Sequence, residues 1–329
     1  MTDSVVRQIP IRDALREAMT EEMQRDDRVY LVGEEVGGYN GAYKCSRGML
    51  DMFGAKRVID APIAETGFAG IGIGSAMAGL RPIVEFMTYN FSLVAFDQIV
   101  NTAAKAMLMS GGEISVPMVF RGANGAAYQL GAQHANSTEQ FYTYVPGLIV
   151  IAPSTPYDMK GLLKSAIRDD NPVIFMESEL TYSLKGPVPE EEYLIPIGKA
   201  DIKNEGDDVT LITWSKNVFL TLRVAERLES EHGISAEVID LRTLRPFDKE
   251  AIQKSVKKTN RVVVIQEQHE ISSYGAYLSH YISTELFDYL DAPALVVSSL
   301  DCPMPYSKAL EKVVLPSEDK CIETILKVL

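Results

Sequence analysis

The chain has 329 residues and a mass of 36.3 kDa, a length that suggests about two domains. Hydrophobic residues make up 46% and charged residues 23%, which is ordinary for a globular protein and excludes disorder as the main state. The formal net charge is −13, so nucleic acids and anionic membrane surfaces are poor partners.

Helical patterns and short apolar runs alternate along the first half of the chain. The first helix is predicted by apolar residues that recur every four positions: Ile11, Leu15, Met19 and Met23. Apolar runs typical of buried strands follow at 29–32, 58–59, 82–86, 117–120, 148–152 and 172–176. Helical patterns lie between most of them, notably at 91–109 and 157–168. Continuous apolar strands separated by helices predict a parallel sheet that is covered on both faces.

The alternation stops between Tyr182 and Asp208 and then resumes. This stretch contains a Gly-Pro-Val-Pro run and a cluster of three glutamates, which predicts a linker over about 183–208 with one extended piece near 193–197. Further strands are predicted beyond it, at 209–214, 236–241, 261–266 and 294–299. We therefore predict two α/β domains, residues 1–190 and 191–329, each a mainly parallel sheet covered by helices.

The three cysteines and the absence of targeting patterns bear on the compartment. Cys45, Cys302 and Cys321 are odd in number and widely spaced, which favours reduced thiols. The first residues show no signal-peptide pattern, and the longest apolar stretch, 69–80, is shorter than the roughly 20 residues of a spanning helix. We expect a cytoplasmic protein without a membrane segment.

A glycine-rich stretch at 67–74 has two interpretations. A dinucleotide fingerprint fits poorly, because its third glycine would fall at Met77. Close packing of a helix fits better, because Gly70, Gly74 and Ala78 lie four residues apart. A helix that contains glycines loses up to about 1 kcal/mol for each one, so we expect some neighbour to require the close approach.

Two residues are candidates for chemistry. Glu65 lies just before the glycine-rich helix and is either an acid favoured by the helix dipole or a desolvated carboxylate suited to proton transfer. His134 lies in a loop rich in Gly and Ala, where it is either catalytic or structural. The chain has no P-loop, no Gly-x-Ser-x-Gly elbow and no Gly-Asp-Gly…Asn-Asn motif of the kind that binds thiamine diphosphate and magnesium.

Several segments together resemble the beta subunits of the first, decarboxylating enzyme of pyruvate dehydrogenase complexes, a transketolase-like family that uses thiamine diphosphate. The match runs nearly end to end, and the segments that carry it include 33–36, 57–60, 62–65, 67–82, 85–87, 132–134, 241–243 and 303–305.

The resemblance implies a divided enzyme. Residues 1–190 would be the pyrimidine-binding domain and 191–329 the transketolase C-terminal domain. An alpha subunit would carry the diphosphate and magnesium motif, in an α2β2 heterotetramer. The implied reaction is the decarboxylation of pyruvate and the reductive acetylation of a lipoyl group, leading to acetyl-CoA. The lipoyl acyltransferase core would be bound through its small subunit-binding domain.

The resemblance also assigns roles to single residues. Glu65 would bond the aminopyrimidine ring nitrogen of the cofactor, and His134 would lie near the substrate. The remaining cofactor-pocket positions would be Glu34, Ile63, Met87 and Phe91. A structural potassium site would be formed by Met118, Ala166, Ile167, Asp169 and Asn171. The chain departs from the family's usual pattern at 134–136, where His-Ala-Asn replaces His-Ser-Gln, and at 268–275, where the usual turn is rich in glycine.

Alternative functions stay open. One is the beta subunit of a branched-chain 2-oxo acid or acetoin dehydrogenase. Met87 and Phe91 favour the pyruvate type, because branched-chain relatives tend to carry more polar residues there. Another is a non-catalytic α/β scaffold subunit, in which Glu65 would be dispensable. A nicotinamide dehydrogenase is disfavoured by the incomplete glycine fingerprint.

Overall fold

The chain forms two compact units in the computed structural model, which describes residues 6–329. The N-terminal unit contains the chain up to Asn124 together with Phe141–Ile197. The C-terminal unit contains Gly125–Gln140 and Gly198–Leu329. The boundary between the two units therefore lies at 197/198, within the predicted linker. The segment 125–140 belongs to the C-terminal unit, which the predicted division at 190/191 does not anticipate.

A parallel sheet forms the centre of the N-terminal unit. Strand β1 (Val6–Pro10) pairs antiparallel with β8 (Lys185–Pro189), apart from this sheet. The sheet strands are β2 (Val29–Gly33), β3 (Val58–Asp60), β4 (Arg81–Glu85), β5 (Met118–Ala123), β6 (Ile149–Ile151) and β7 (Pro172–Glu177). They lie side by side in the order β6-β7-β5-β4-β2-β3, and every adjacent pair is parallel. The predicted apolar runs are thus confirmed as parallel strands, and all but the short β3 are mostly buried.

The helices of the N-terminal unit agree with the sequence at three predicted places and differ at a fourth. They are α1 (Ile11–Arg25), α2 (Met49–Phe53), α3 (Glu65–Met77), α4 (Ala106–Met109), α5 (Glu139–Thr143, which spans the change of unit at 140/141) and α6 (Pro156–Arg168). The continuous helix predicted over 91–109 is wrong, because a 3₁₀ turn at Tyr89–Leu93 and a π-helical turn at Gln98–Ala103 precede the short α4. Short polar side chains compete for the backbone there, since Ser92 donates to the Tyr89 carbonyl at 2.5 Å.

The C-terminal unit is a second α/β layer structure. Its strands are β9 (Asp201–Asn204), β10 (Val209–Thr213), β11 (Ala236–Asp240), β12 (Thr243–Arg245), β13 (Val262–His269) and β14 (Leu295–Ser299). The sheet order is β14-β13-β10-β11-β9, with only β9 antiparallel to its neighbour. The helices are α7 (Asn217–Arg227), α8 (Lys249–Thr259), α9 (Tyr274–Glu285), α10 (Lys308–Val314) and α11 (Glu318–Ile325). The predicted fold class, two mainly parallel α/β units, is confirmed.

The predicted linker contains more regular structure than its composition indicates. Strands β8 and β9 both lie within it, whereas the extended piece expected at 193–197 forms no strand. Tyr193 and Ile195 instead pack against α6, where a Cβ at Gly161 would lie within 2.7 Å of each side chain. Among residues 6–329, no helix combines the length and the hydrophobicity needed to cross a bilayer.

Candidate functional site

The carboxyl ends of β2, β3 and β4 bring several predicted site residues to one edge of the N-terminal sheet. Glu34 directly follows β2, and Met87 follows β4 by two residues. Glu65 begins α3, a few residues after β3 ends. Asp60, the last residue of β3, accepts from the backbone N–H groups of Gly37 at 2.6 Å and Gly38 at 2.8 Å. These bonds fix the loop after β2 against β3, so Glu34 is held on a stiff turn.

Glu34 and Glu65 form a buried pair of carboxyl groups. Their exposed fractions are 3% and 7%. Burial, reinforced by the nearby charge of Glu65 and by a hydrogen bond between the two side chains, raises the pKa of Glu34 to about 7. A carboxyl group that is buried beside another carboxyl group loses its proton less readily, so Glu34 stays protonated to a higher pH than an exposed glutamate does.

One oxygen of this pair is left for a ligand. Glu34 Oε1 is buried and has no hydrogen-bond partner among the residues that the structure describes. A buried polar atom of this kind is costly unless something binds it. The pair fits a ligand that presents a weakly basic ring nitrogen and an amino group, because together the carboxyl groups offer both a proton and acceptor oxygens.

The helix that begins with Glu65 is pressed onto the sheet through a glycine. A Cβ on Gly72 would lie 2.7 Å from Val84 Cγ2, so this residue must be small. Phe68 packs against Phe86, with ring centroids 5.7 Å apart, and anchors the first turn of α3 beside β4. Close packing inside the unit is therefore made by Gly72. The sequence pattern points to Gly70, Gly74 and Ala78 as the positions of close packing. Gly74 does not make such a contact, because a Cβ there would meet nothing within 4 Å.

The apolar positions predicted for the cofactor pocket differ in exposure. Met87 and Phe91 are half-buried, whereas Ile63 is 85% exposed in this chain. Thr66 of α3 donates to the Val94 carbonyl at 2.7 Å, which ties the start of the helix to the segment that carries Phe91. Glu65 is thus held by its own helix and by the chain that follows β4.

A buried ion cluster at the same edge was missed by the sequence reasoning. Arg121 of β5, only 1% exposed, bonds Glu177 of β7 through two hydrogen bonds of 2.6 Å and also pairs with Glu85 at the end of β4. Glycines flank this strand end, since a Cβ on Gly33 would lie 2.5 Å from the Glu85 carbonyl oxygen. In the sequence, each of these three residues is a charged residue at or near the end of an apolar run. Exposed strands show the same pattern, so it does not indicate a buried ion cluster.

His134 lies in the C-terminal unit, within the segment 125–140, and is half-buried. The structure therefore brings Glu34 and Glu65 together in one unit and assigns His134 to the other. The backbone N–H of His134 is bonded to the Gly131 carbonyl at 3.3 Å, within a tight turn.

The residues predicted to bind potassium gather at the end of α6. Ala166 and Ile167 lie in its last turn, and Asp169 accepts from the backbone and side-chain N–H groups of Asn171 at 2.8 and 2.9 Å. Met118 is paired in register with Pro172, the neighbour of Asn171. Oxygen atoms at the negative end of a helix suit a hard cation. The guanidinium of Arg81 already donates to the Ile167 carbonyl at 3.0 Å, so a cation there would share that oxygen.

Comparisons with known proteins agree along the whole chain. The transketolase pyrimidine-binding domain family matches residues 7–185, and the transketolase C-terminal domain family matches residues 198–321. The chain is 53% identical over 321 residues to the pyruvate dehydrogenase E1 component subunit beta of Rickettsia felis, covering 98% of both chains. It is 49% identical to the mitochondrial subunit of the same name from Caenorhabditis elegans, covering 96% of this chain and 91% of that one.

A solved structure of low identity supports the fold alone. The chain superposes on a split-gene transketolase, described as an inactive beta4 tetramer, with a TM-score of 0.77, 20% identity and 98% coverage of both chains.

Proposed function

The chain belongs to the family of pyruvate dehydrogenase E1 component beta subunits, and on this basis we propose that it is the cofactor-activating half of a two-chain pyruvate dehydrogenase. With an alpha subunit it would decarboxylate pyruvate and reductively acetylate the lipoyl group of an acyltransferase. The observation that carries the proposal is the buried Glu34–Glu65 pair, in which Glu34 Oε1 has no partner among the described residues.

The proposed chemistry depends on where a proton is held. Thiamine diphosphate, when bound, supplies a thiazolium carbon that attacks a ketone and then accepts the electrons left by carbon dioxide. Glu65 would hold a proton at the aminopyrimidine ring nitrogen. Glu34, whose pKa is raised to about 7 by burial and by Glu65, would donate a hydrogen bond to Glu65 and keep that carboxylate in place. Half-buried Met87 and Phe91 would limit the access of water and strengthen these interactions.

The finer features of the assembly are part of the proposal. We expect a cytoplasmic α2β2 heterotetramer, with magnesium and the cofactor diphosphate bound by the alpha subunit. Residues after about Asp208 would dock the subunit-binding domain of the acyltransferase. Met118, Ala166, Ile167, Asp169 and Asn171 would hold a structural potassium ion beside Arg81.

Co-expression with candidate alpha chains tests the proposed function. The assembled enzyme is assayed with pyruvate, branched-chain 2-oxo acids and acetoin. We expect activity with pyruvate, none without thiamine diphosphate, and none from this chain alone. A preference for a branched-chain acid or acetoin would assign the chain to that relative, and thiamine-dependent decarboxylation by the chain alone would refute the two-chain enzyme.

The variant Glu65→Gln tests the role of the carboxyl pair. Glutamine keeps the shape of the side chain but cannot ionise. Acid–base groups contribute roughly 10²–10⁴ in rate, so we expect a loss in that range. The measurement is hydrogen–deuterium exchange at the thiazolium carbon in the assembled enzyme. Glu35→Gln is the matched control, because Glu35 is the exposed neighbour of Glu34. Exchange at the wild-type rate in Glu65→Gln would reduce this carboxylate to a helix-end charge.

A further inference from the structure

The segment 125–140 follows β5 in the sequence but is fastened to the C-terminal unit at both of its ends. Its attachment points lie at the carboxyl ends of β10 and β13, which are parallel neighbours in the C-terminal sheet. The C-terminal unit therefore holds His134 through its own strand ends.

The first attachment is an ion pair that clasps Ala126. Lys216 Nζ and Glu267 Oε2 are 2.5 Å apart. The Ala126 N–H donates to Glu267 Oε1 at 2.6 Å, and the Ala126 carbonyl accepts from Lys216 Nζ at 2.5 Å. Gly125, with φ of +82°, makes this approach possible, since a Cβ there would lie 2.6 Å from Glu267 Oε1. Both backbone polar groups of one residue, Ala126, are thus bound by side chains of opposite charge.

The second attachment is made by Glu139. Its carboxylate accepts from Trp214 Nε1 at 3.2 Å and from Gln268 Nε2 at 2.9 Å. Gln268 in turn accepts from the Tyr274 N–H at 2.8 Å. Gln268 begins the turn 268–275, one of the places where the sequence departs from the family's usual pattern. Its bond to Glu139 joins that turn to the segment that contains the departure at 134–136.

The part between the two attachments is strained and needs support. Tyr128 and Gln129 have φ angles of +41° and +59°, which residues other than glycine rarely adopt. Glu311 accepts from the Gln129 N–H at 3.2 Å, and buried Ala135 packs in a small cluster with Met304 and Val314. Strained backbone of this kind persists where the surroundings over-determine it, and such segments are concentrated at functional sites.

We propose that Lys216, Glu267, Trp214 and Gln268 are positioning residues that hold segment 125–140 and thereby fix the backbone that presents His134 to the substrate. The proposal rests on the proposed function, in which His134 lies near the substrate. None of the four residues needs to touch the substrate or the cofactor.

The test compares Lys216→Met and Trp214→Phe with wild type in the enzyme assembled with its alpha subunit. The rate at which diethyl pyrocarbonate modifies each histidine is followed by peptide mass spectrometry, with His232 and His280 as internal references. Glu237→Gln is the control, because it breaks a comparable ion pair with Lys258 elsewhere in the same unit. Lys216→Arg is the rescue variant, since it keeps the charge.

We expect the modification rate of His134 to change severalfold in both test variants and to remain at the wild-type value in Glu237→Gln and Lys216→Arg. The kcat should fall about tenfold, because small displacements of a catalytic group are costly, while the affinity for thiamine diphosphate is unchanged. Unaltered His134 modification in both test variants, or the same change in Glu237→Gln, would overturn the proposal. If Lys216→Met does not assemble, Trp214→Phe decides, since it keeps a buried aromatic side chain while removing the Nε1–H donor together with one ring of the indole.

The labelling also separates this proposal from the function on which it rests. Selective changes at His134 in an enzyme that decarboxylates no 2-oxo acid would leave the positioning role standing and refute the proposed function. Full activity of the assembled enzyme on pyruvate, together with unaltered His134 labelling in the variants, would support the proposed function and refute the positioning role.

Discussion

Glu34 should make the stability of the chain decrease as the pH rises from about 4.5 to 7. Its pKa is raised from 4.5 to about 7 by burial and by Glu65, so the folded state binds this proton more tightly than the unfolded state. Stability that is present below pH 4.5 is therefore lost between about pH 4.5 and 7. Glu34→Gln, which stays neutral, should remove this loss.

The size of the effect follows from the two pKa values. Their difference corresponds to about 3 kcal/mol if fully expressed. Water screens part of a charge at the edge of a sheet, so we expect Glu34→Gln to be more stable than wild type by about 1–2 kcal/mol at pH 8 and similar at pH 5. For a chain of 329 residues the increase in Tm at pH 8 would be about 1.5–3 °C.

Thermal unfolding of the purified chain without thiamine diphosphate, recorded from pH 5 to 8, measures this difference. Glu35→Gln removes the same charge from the exposed neighbouring position and should follow the wild-type pH dependence. Equal Tm differences between Glu34→Gln and wild type at pH 5 and pH 8 would refute the reasoning, because a buried proton could not then be responsible.

Two further predictions concern the packing and charges that hold the site. Gly72→Ala should destabilise the chain by about 1–3 kcal/mol, because the added Cβ would lie 2.7 Å from Val84 Cγ2, whereas Gly74→Ala has open space around it and should not. Thermal unfolding of both variants measures this contrast, and equal losses of stability would contradict it. Glu177→Gln should cost about 1–3 kcal/mol, since it weakens the two hydrogen bonds that buried Arg121 makes to Glu177 while Glu85 still balances the charge of Arg121; an unchanged free energy of unfolding in urea would contradict this.

Local pattern was sufficient for much of the fold. Every apolar run of the N-terminal half forms a parallel strand, and the residues spaced by four from Ile11 to Met23 form the buried face of α1. These elements were predictable because each depends on its own periodicity and on burial of one face. The helix over 91–109 failed where the hydroxyl groups of Thr88 and Ser92 offered the backbone local hydrogen bonds that periodicity does not record.

The sequence by itself was sufficient to recognise the family and to identify Glu34, Glu65 and His134 as candidate site residues. Each of these residues lies in a short segment that matches the family's usual pattern. Only the tertiary structure decided that Glu34 and Glu65 form a buried pair in which the pKa of Glu34 is raised, since that depends on the parallel order of β2, β3 and β4 and on their burial. It also decided that Gly72 makes the tight contact of α3 and that His134 belongs to the C-terminal unit. Distances between residues far apart in the chain are set by packing, and no local pattern of residues contains them.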